Sequence, residues 1–168
     1  EALDDYLAFL TKTTTQKFGG IKVALDCANG AAYKAAPLAM LDLGAQLCII
    51  HNDPDGTNIN DKCGSTHMDD LKAMVVENGA DIGFAFDGDA DRCLAVDENG
   101  ELIGFDTDLA KAVFGNLGYE VLFQEIDWSA KETELNSGNI DCIWNGMTIT
   151  PERQETMGIS NPYMANKQ

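Results

Sequence analysis

The chain has 168 residues, 45% of them hydrophobic and 23% charged, a size and composition that let one globular domain bury about 70% of its unfolded surface without disulfide or metal staples. Eleven Lys and Arg against 28 Asp and Glu leave a formal net charge of -17, a field that repels phosphate backbones and anionic bilayers and so excludes nucleic acid and membrane as expected partners. Residues 1–100 hold 17 acidic and 7 basic side chains and residues 101–168 hold 11 and 4, so the acid is no tail.

In chain order, residues 1–17 carry Leu3, Leu7, Phe9 and Leu10 among polar neighbours and read as an amphipathic helix closed by Gly19-Gly20. A strand, Ile21 to Leu25, runs into Asp26-Cys27-Ala28-Asn29-Gly30, and an Ala-rich helix extends to Leu43-Gly44. Leu47 to Ile50 reads as a strand, 52–61 as a turn-rich loop, and Met68 to Asn78 as a helix ended by Gly79. Ile82 to Phe86 is the most apolar strand, and Cys93 to Val96 a further one turning at Asn99-Gly100. Beyond it come a helix from Asp106 to Leu117, a strand from Tyr119 to Ile126, a helix from Trp128 to Ser137, a strand from Ile140 to Trp144 and a last helix opened by Thr150-Pro151. Strands alternating with helices predict an α/β protein, a three-layer α/β/α fold with a mostly parallel sheet, like a flavodoxin or one lobe of a periplasmic binding protein.

Five cysteines (Cys27, Cys48, Cys63, Cys93, Cys142) at wide spacing, with no Cys-x-x-Cys pair and two histidines, read as buried free thiols in a reducing compartment. With no signal peptide ahead of Glu1, a cytoplasmic location is expected, and from the missing initiator Met a trimmed or excised piece is expected as well. His51 and His67 have no partner cluster in the sequence, and neither is given a catalytic role.

The sharpest constellation is Asp87-x-Asp89-x-Asp91, just past a buried strand, where α/β ligand sites gather. Two such carboxylates about 5 Å apart repel by roughly 3 kcal/mol at an effective dielectric of 20, which a hard divalent cation, Mg²⁺ first, would offset. An EF-hand fails, because Arg92 stands where its loop needs glycine and a strand precedes it; a solvated acidic turn is the plain alternative. Cys27 to Gly30 could hold an anion on its backbone N–H groups or be a tight turn. In the second part, Gly146, Thr148 and Arg153 offer donors suited to a carboxylate, with an N-cap Thr150 and a surface arginine equally open. Trp128 and Trp144 read as core rather than pocket lining.

Residues 1 to about 100 resemble the second domain of the phosphohexomutases, most closely phosphoglucosamine mutase, through Leu25 to Tyr33, Pro54 to Asn60, Cys63 to His67 and Phe86 to Arg92. That resemblance implies that Asp87, Asp89 and Asp91 are Mg²⁺ ligands and that Arg92 neighbours the phosphoryl-transfer site. Residues from about 98 to 168 resemble the first lobe of a solute-binding protein for polar amino acids, through Asp97 to Asp106, Glu125 to Trp128, Ile140 to Gly146, Thr148 to Arg153 and Ser160 to Tyr163. By that similarity Arg153 pairs with a ligand's α-carboxylate, with Gly146 and Thr148 as nearby donors. Together they imply one hybrid domain over 1–168, a recombined and engineered chimera joined at Asp97 to Leu102, with 1–100 mutase-like and 101–168 binding-protein-like.

In the mutase family the phosphoserine and sugar-binding loops come from other domains. The expectation is therefore a non-enzymatic chain with weak residual Mg²⁺ binding. The alternatives are a single-lobe amino-acid or carboxylate binding module and a mutase fragment that needs other domains. Competition among strands for one sheet edge leaves a strand-exchanged homodimer open.

Overall fold

The computed structural model describes residues 2–165. It divides into two compact units, Glu1–Gly104 and Phe105–Gln168. In the first, the strands are β1 (Lys22–Asp26), β2 (Gln46–Ile50), β3 (Ile82–Phe86), β4 (Cys93–Asp97) and β5 (Leu102–Ile103), and the helices are α1 (Ala2–Leu10), α2 (Ala32–Asp42) and α3 (Asp69–Asn78). The sheet order is β2-β1-β3-β4-β5. β1 pairs in parallel with β2 and β3, whereas β4 is antiparallel to both β3 and β5. The α/β class and the layered arrangement are as expected. The sheet is mixed rather than mostly parallel, since the chain reverses twice, at the loop from Asp87 to Arg92 and again at the Asn99-Gly100 hairpin, where Gly100 takes a left-handed φ of 78°.

Alternate strand residues face opposite layers. Val23, Leu25, Leu47, Ile49, Phe84 and Phe86 meet the α2 face with Ala32, Ala36 and Met40, and α1 lies against α2. On the other face the strands offer small groups, Ala24 and Ala85, to the larger Met68, Leu71, Met74 and Val75 of the α3 segment. Gly83 belongs to this close approach: a Cβ there would lie 2.6 Å from Val75 Cγ2 and 2.8 Å from Val96 Cγ2.

The first helix ends at Leu10 rather than running to residue 17. Thr11 Oγ1 donates at 3.0 Å to the Leu7 carbonyl, which also accepts the Thr11 N–H, and Thr13 Oγ1 donates at 2.7 Å to the Leu10 carbonyl, which a longer helix would have bonded to residue 14. Helices α2 and α3 form where periodicity places them; the chain turns left-handed two residues past α2 at Gly44, φ 93°, and directly after α3 at Gly79, φ 60°.

The second unit contains α4 (Phe105–Asn116), a 3₁₀ turn at Trp128–Ala130 capped by Asp127, α5 (Lys131–Ser137) and α6 (Pro151–Thr156). Thr150 caps α6 by accepting from the Arg153 N–H, with Pro151 opening the helix. The strands expected at Tyr119 to Ile126 and Ile140 to Trp144 do not form. A strand exists only through a neighbour that takes its backbone hydrogen bonds, and among the described residues of this unit no strand is available to either run. Leu122 is accordingly 86% exposed. Trp144 packs edge-on against Phe114 with ring centroids 5.8 Å apart and tilted against Tyr163 at 6.0 Å. Trp128 and Trp144 are both half-buried, and only Ala110 and Met157 are buried among the described residues here.

Truncating Leu71, which is fully buried under the sheet, is expected to cost about 2–5 kcal/mol in Leu71→Ala. Leu122→Ala should stay within about 0.5 kcal/mol of the parent. Urea unfolding of the two variants, followed by far-UV circular dichroism, checks the contrast.

Candidate functional site

The loops at the carboxyl ends of β1, β2 and β3 meet. Ala28 and Asn29 turn left-handed at φ 52° and 47°, which brings Gly30 so close to the loop after β3 that an added Cβ would lie 2.3 Å from the Gly88 carbonyl oxygen. The Ala31 N–H donates to that oxygen at 2.8 Å, and the Asn60 N–H donates to the Ala28 carbonyl at 3.0 Å. A Cβ on Gly88 would meet Asn60 Nδ2 at 2.6 Å. The loop after β3 is thus held between the loops after β1 and β2 by contacts that only glycine allows.

The backbone N–H groups after β1 serve this packing and not an anion. The Ala28 N–H goes to Asp26 Oδ1, Asn29 to the His51 carbonyl, Gly30 to the Cys27 carbonyl and Ala31 to Gly88, which corrects the anion reading of Cys27 to Gly30. The 52–61 stretch is a self-satisfied loop, with Asp55 Oδ1 accepting from the N–H groups of Thr57 and Asn58 at 2.7 and 2.9 Å. Those bonds hold the Asp55 carboxyl below its usual range.

Asp87, Asp89 and Asp91 each offer a carboxylate oxygen within 4.8 Å of the other two. Asp87 is 2% exposed, while Asp89 and Asp91 lie on the surface. The curl is closed by Ala90, left-handed at φ 61°, whose N–H donates to the Asp87 carbonyl at 3.0 Å. Arg92 bonds Asp87 twice, its backbone N–H to Oδ1 at 3.1 Å and its Nε–H to Oδ2, and the same Nε lies 3.5 Å from Asp91 Oδ1. Burial pushes the Asp87 carboxyl up, but the hydrogen bonds from Arg92 and the one shared with Asp91 outweigh it and hold the group low. Asp91 moves the other way, raised first by its hydrogen bond with Asp87 and then by the charges of Asp87 and Asp89. Three carboxylates facing one guanidinium leave a local excess of negative charge, and an all-oxygen donor set of this kind fits Mg²⁺.

In the second unit, Arg153 Nη1 donates to the Thr148 carbonyl at 2.6 Å. The structure therefore brings Arg153 and Thr148 together, though through a backbone bond that occupies part of the guanidinium. Gly146 is exposed. The thiols divide: Cys27 and Cys63 are buried and Cys48 half-buried, whereas Cys93 and Cys142 are exposed, so the expectation of five buried thiols holds for two.

Residues 4–100 match the family model described as "Phosphoglucomutase/phosphomannomutase, alpha/beta/alpha domain II". The chain belongs to this family. Among its relatives, the phosphoglucosamine mutase of Ruminiclostridium cellulolyticum is 60% identical over 114 residues, 68% of this chain and 25% of that protein. The one from Acetivibrio thermocellus is 55% identical over 113 residues, 67% of this chain and 25% of that protein. The chain thus spans about a quarter of the length of these relatives. A solved phosphoglucomutase/phosphomannomutase family protein from Burkholderia thailandensis superposes with a TM-score of 0.56 at 24% identity, covering 83% of this chain and 36% of that one; this likeness concerns the fold alone.

A second model, "Bacterial extracellular solute-binding proteins, family 3", matches residues 82–168, so the two matched spans share residues 82–100. The 114-residue stretch shared with the first relative cannot fit within residues 1–100. Mutase likeness therefore continues past Asp97 to Leu102, where the sequence places the joint.

Arg92 competes with any cation for Asp87. Arg92→Gln is expected to tighten Mn²⁺ binding to this chain several-fold, and Asp89→Asn to loosen it at least tenfold. Titration followed by the paramagnetic resonance signal of free Mn²⁺ checks both directions.

Proposed function

We propose that the chain is the cation-holding α/β/α module of a phosphohexomutase of the phosphoglucosamine mutase kind, and that it turns over no substrate alone. The observation that supports this most is the convergence of Asp87, Asp89 and Asp91 beside Arg92 at the carboxyl end of the sheet. In this reading the three aspartates hold Mg²⁺, which when bound would offset charge on a phosphoryl group. Asp87 anchors the Arg92 side chain, which is 56% exposed, so the rest of the guanidinium faces solvent where a phosphoryl oxygen could accept two parallel hydrogen bonds. Gly30 and Gly88 keep the loop close to β1 and preset the spacing of the carboxylates. The phosphoserine and sugar contacts that the family resemblance calls for lie in other domains. Five free cysteines fit a reducing, cytoplasmic setting for this module.

A second reading rests on the match over residues 82–168: a recombined chain whose later part is a solute-binding-lobe segment. One lobe offers about half of the contact that buries a small ligand. With Arg153 already bonded to Thr148, any amino-acid affinity is millimolar or weaker; a loss of about 4 kcal/mol alone is a thousandfold. Calorimetry with polar amino acids tests it, and Arg153→Ala should abolish any signal.

For the main reading, purified chain with glucosamine 6-phosphate and Mg²⁺ is expected to show no turnover above blank. Mixing it with the separately expressed remaining domains of a relative should produce turnover that Asp89→Asn removes. Turnover by the chain alone, or a reconstituted activity indifferent to Asp89, would sink the proposal.

A further inference from the structure

We propose that Asp26, His51 and Cys63 form a second metal site, built for a borderline divalent cation such as Zn²⁺ and separate in its ligands from the aspartate loop. One oxygen of Asp26, one nitrogen of His51 and the sulfur of Cys63 all lie within 4.8 Å of one another.

Asp26 ends β1 with no exposure to solvent. Its Oδ1 accepts the Ala28 N–H at 2.8 Å and its Oδ2 the Gly64 N–H at 2.9 Å, so two backbone donors pin the carboxylate. His51 follows β2 at a left-handed φ of 49°, a conformation costly for a non-glycine residue. Its Nδ1 lies 3.0 Å from Asp26 Oδ2, yet that nitrogen is shut off from solvent and makes no hydrogen bond. A buried, unbonded nitrogen this close to a carboxylate oxygen is one that a shared cation would satisfy. The other ring nitrogen, Nε2, lies 3.4 Å from Asp70 Oδ2. A carboxylate near the far nitrogen is the usual support of a metal-bound histidine.

Cys63 brings the third donor. It is fully buried. On binding, the M²⁺–S bond replaces the S–H bond and the proton leaves to solvent. One carboxylate, one thiolate and a dication sum to zero charge, the condition a buried site needs. Sulfur, imidazole and carboxylate suit Zn²⁺ or Co²⁺ and not Mg²⁺. Donors at tetrahedral zinc distances of about 2.0–2.3 Å are about 3.3–3.8 Å apart. The 3.0 Å between His51 Nδ1 and Asp26 Oδ2 is a few tenths short of that range, and all three donors lie within 4.8 Å of one another. Three protein ligands leave the fourth position to water.

The test is titration of the full chain with Co²⁺. The expected result is one equivalent that carries thiolate-to-cobalt charge transfer in the near ultraviolet and intensified visible bands, distinct from any Co²⁺ held by the aspartate loop. Zn²⁺ should displace it and a hundredfold excess of Mg²⁺ should not. His51→Ala, and Cys63→Ser if its far-UV circular dichroism remains native, should abolish the charge-transfer band, whereas Asp89→Asn should leave it unchanged. No charge-transfer band with the parent chain, or a band that survives in His51→Ala, overturns the proposal. Loss of the band in Asp89→Asn would assign the metal to the aspartate loop and overturn it as well.

Discussion

The near-contact between the backbones of Gly30 and Gly88 is the constraint on which the functional end of the first unit depends. It is closed by one hydrogen bond, Ala31 N–H to the Gly88 carbonyl, and requires that Gly30 carry no side chain, while a Cβ on Gly88 would press on the Asn60 and Ile59 side chains. Once the loops after β1 and β3 are joined this way, the loop after β2 is fixed too, because Asn60 bonds Ala28 and its side chain lies against Gly88. Both clusters of metal-type donors, the aspartates at 87, 89 and 91 and the trio of Asp26, His51 and Cys63, sit on these same three loops.

The two clusters solve the burial of charge differently. The aspartate loop keeps two of its three carboxylates on the surface and sets one guanidinium against the buried third, so water and Arg92 share the neutralisation. Asp26 has no such outlet. It is held by backbone donors and by an imidazole whose nearer nitrogen is not aligned to bond it. A hard cation suits the first arrangement and a softer one the second, since the donors differ in kind more than in number.

Much of the first unit was legible from residue pattern. The strand from Ile82 to Phe86, the hairpin at Asn99-Gly100 and the helix stop at Gly79 stand where alternation and glycine placed them. The aspartate constellation was legible because its members are two residues apart and need only one curled loop to converge. The second unit was less readable: Tyr119 to Ile126 and Ile140 to Trp144 carry strand-like composition, but a strand is a pairwise object, and composition says nothing about whether an edge is free to receive it. The first helix stops short of residue 17 for a local reason, since the Thr13 backbone and hydroxyl both turn back onto the Leu10 carbonyl.

By itself, the sequence determined the alternation of elements, the acidic surface and the cluster at Asp87, Asp89 and Asp91, because these follow from local period, composition and short spacing. Only the tertiary structure decided that His51 faces Asp26 and Cys63, that the anion-like turn at Cys27 to Gly30 spends its donors on its neighbours, and that the sheet ends at β5. Residues far apart in the chain meet only where three loops are packed by backbone approach. No spacing rule carries that information, since the distance between loops is set by the sheet and by the absence of a side chain at Gly30.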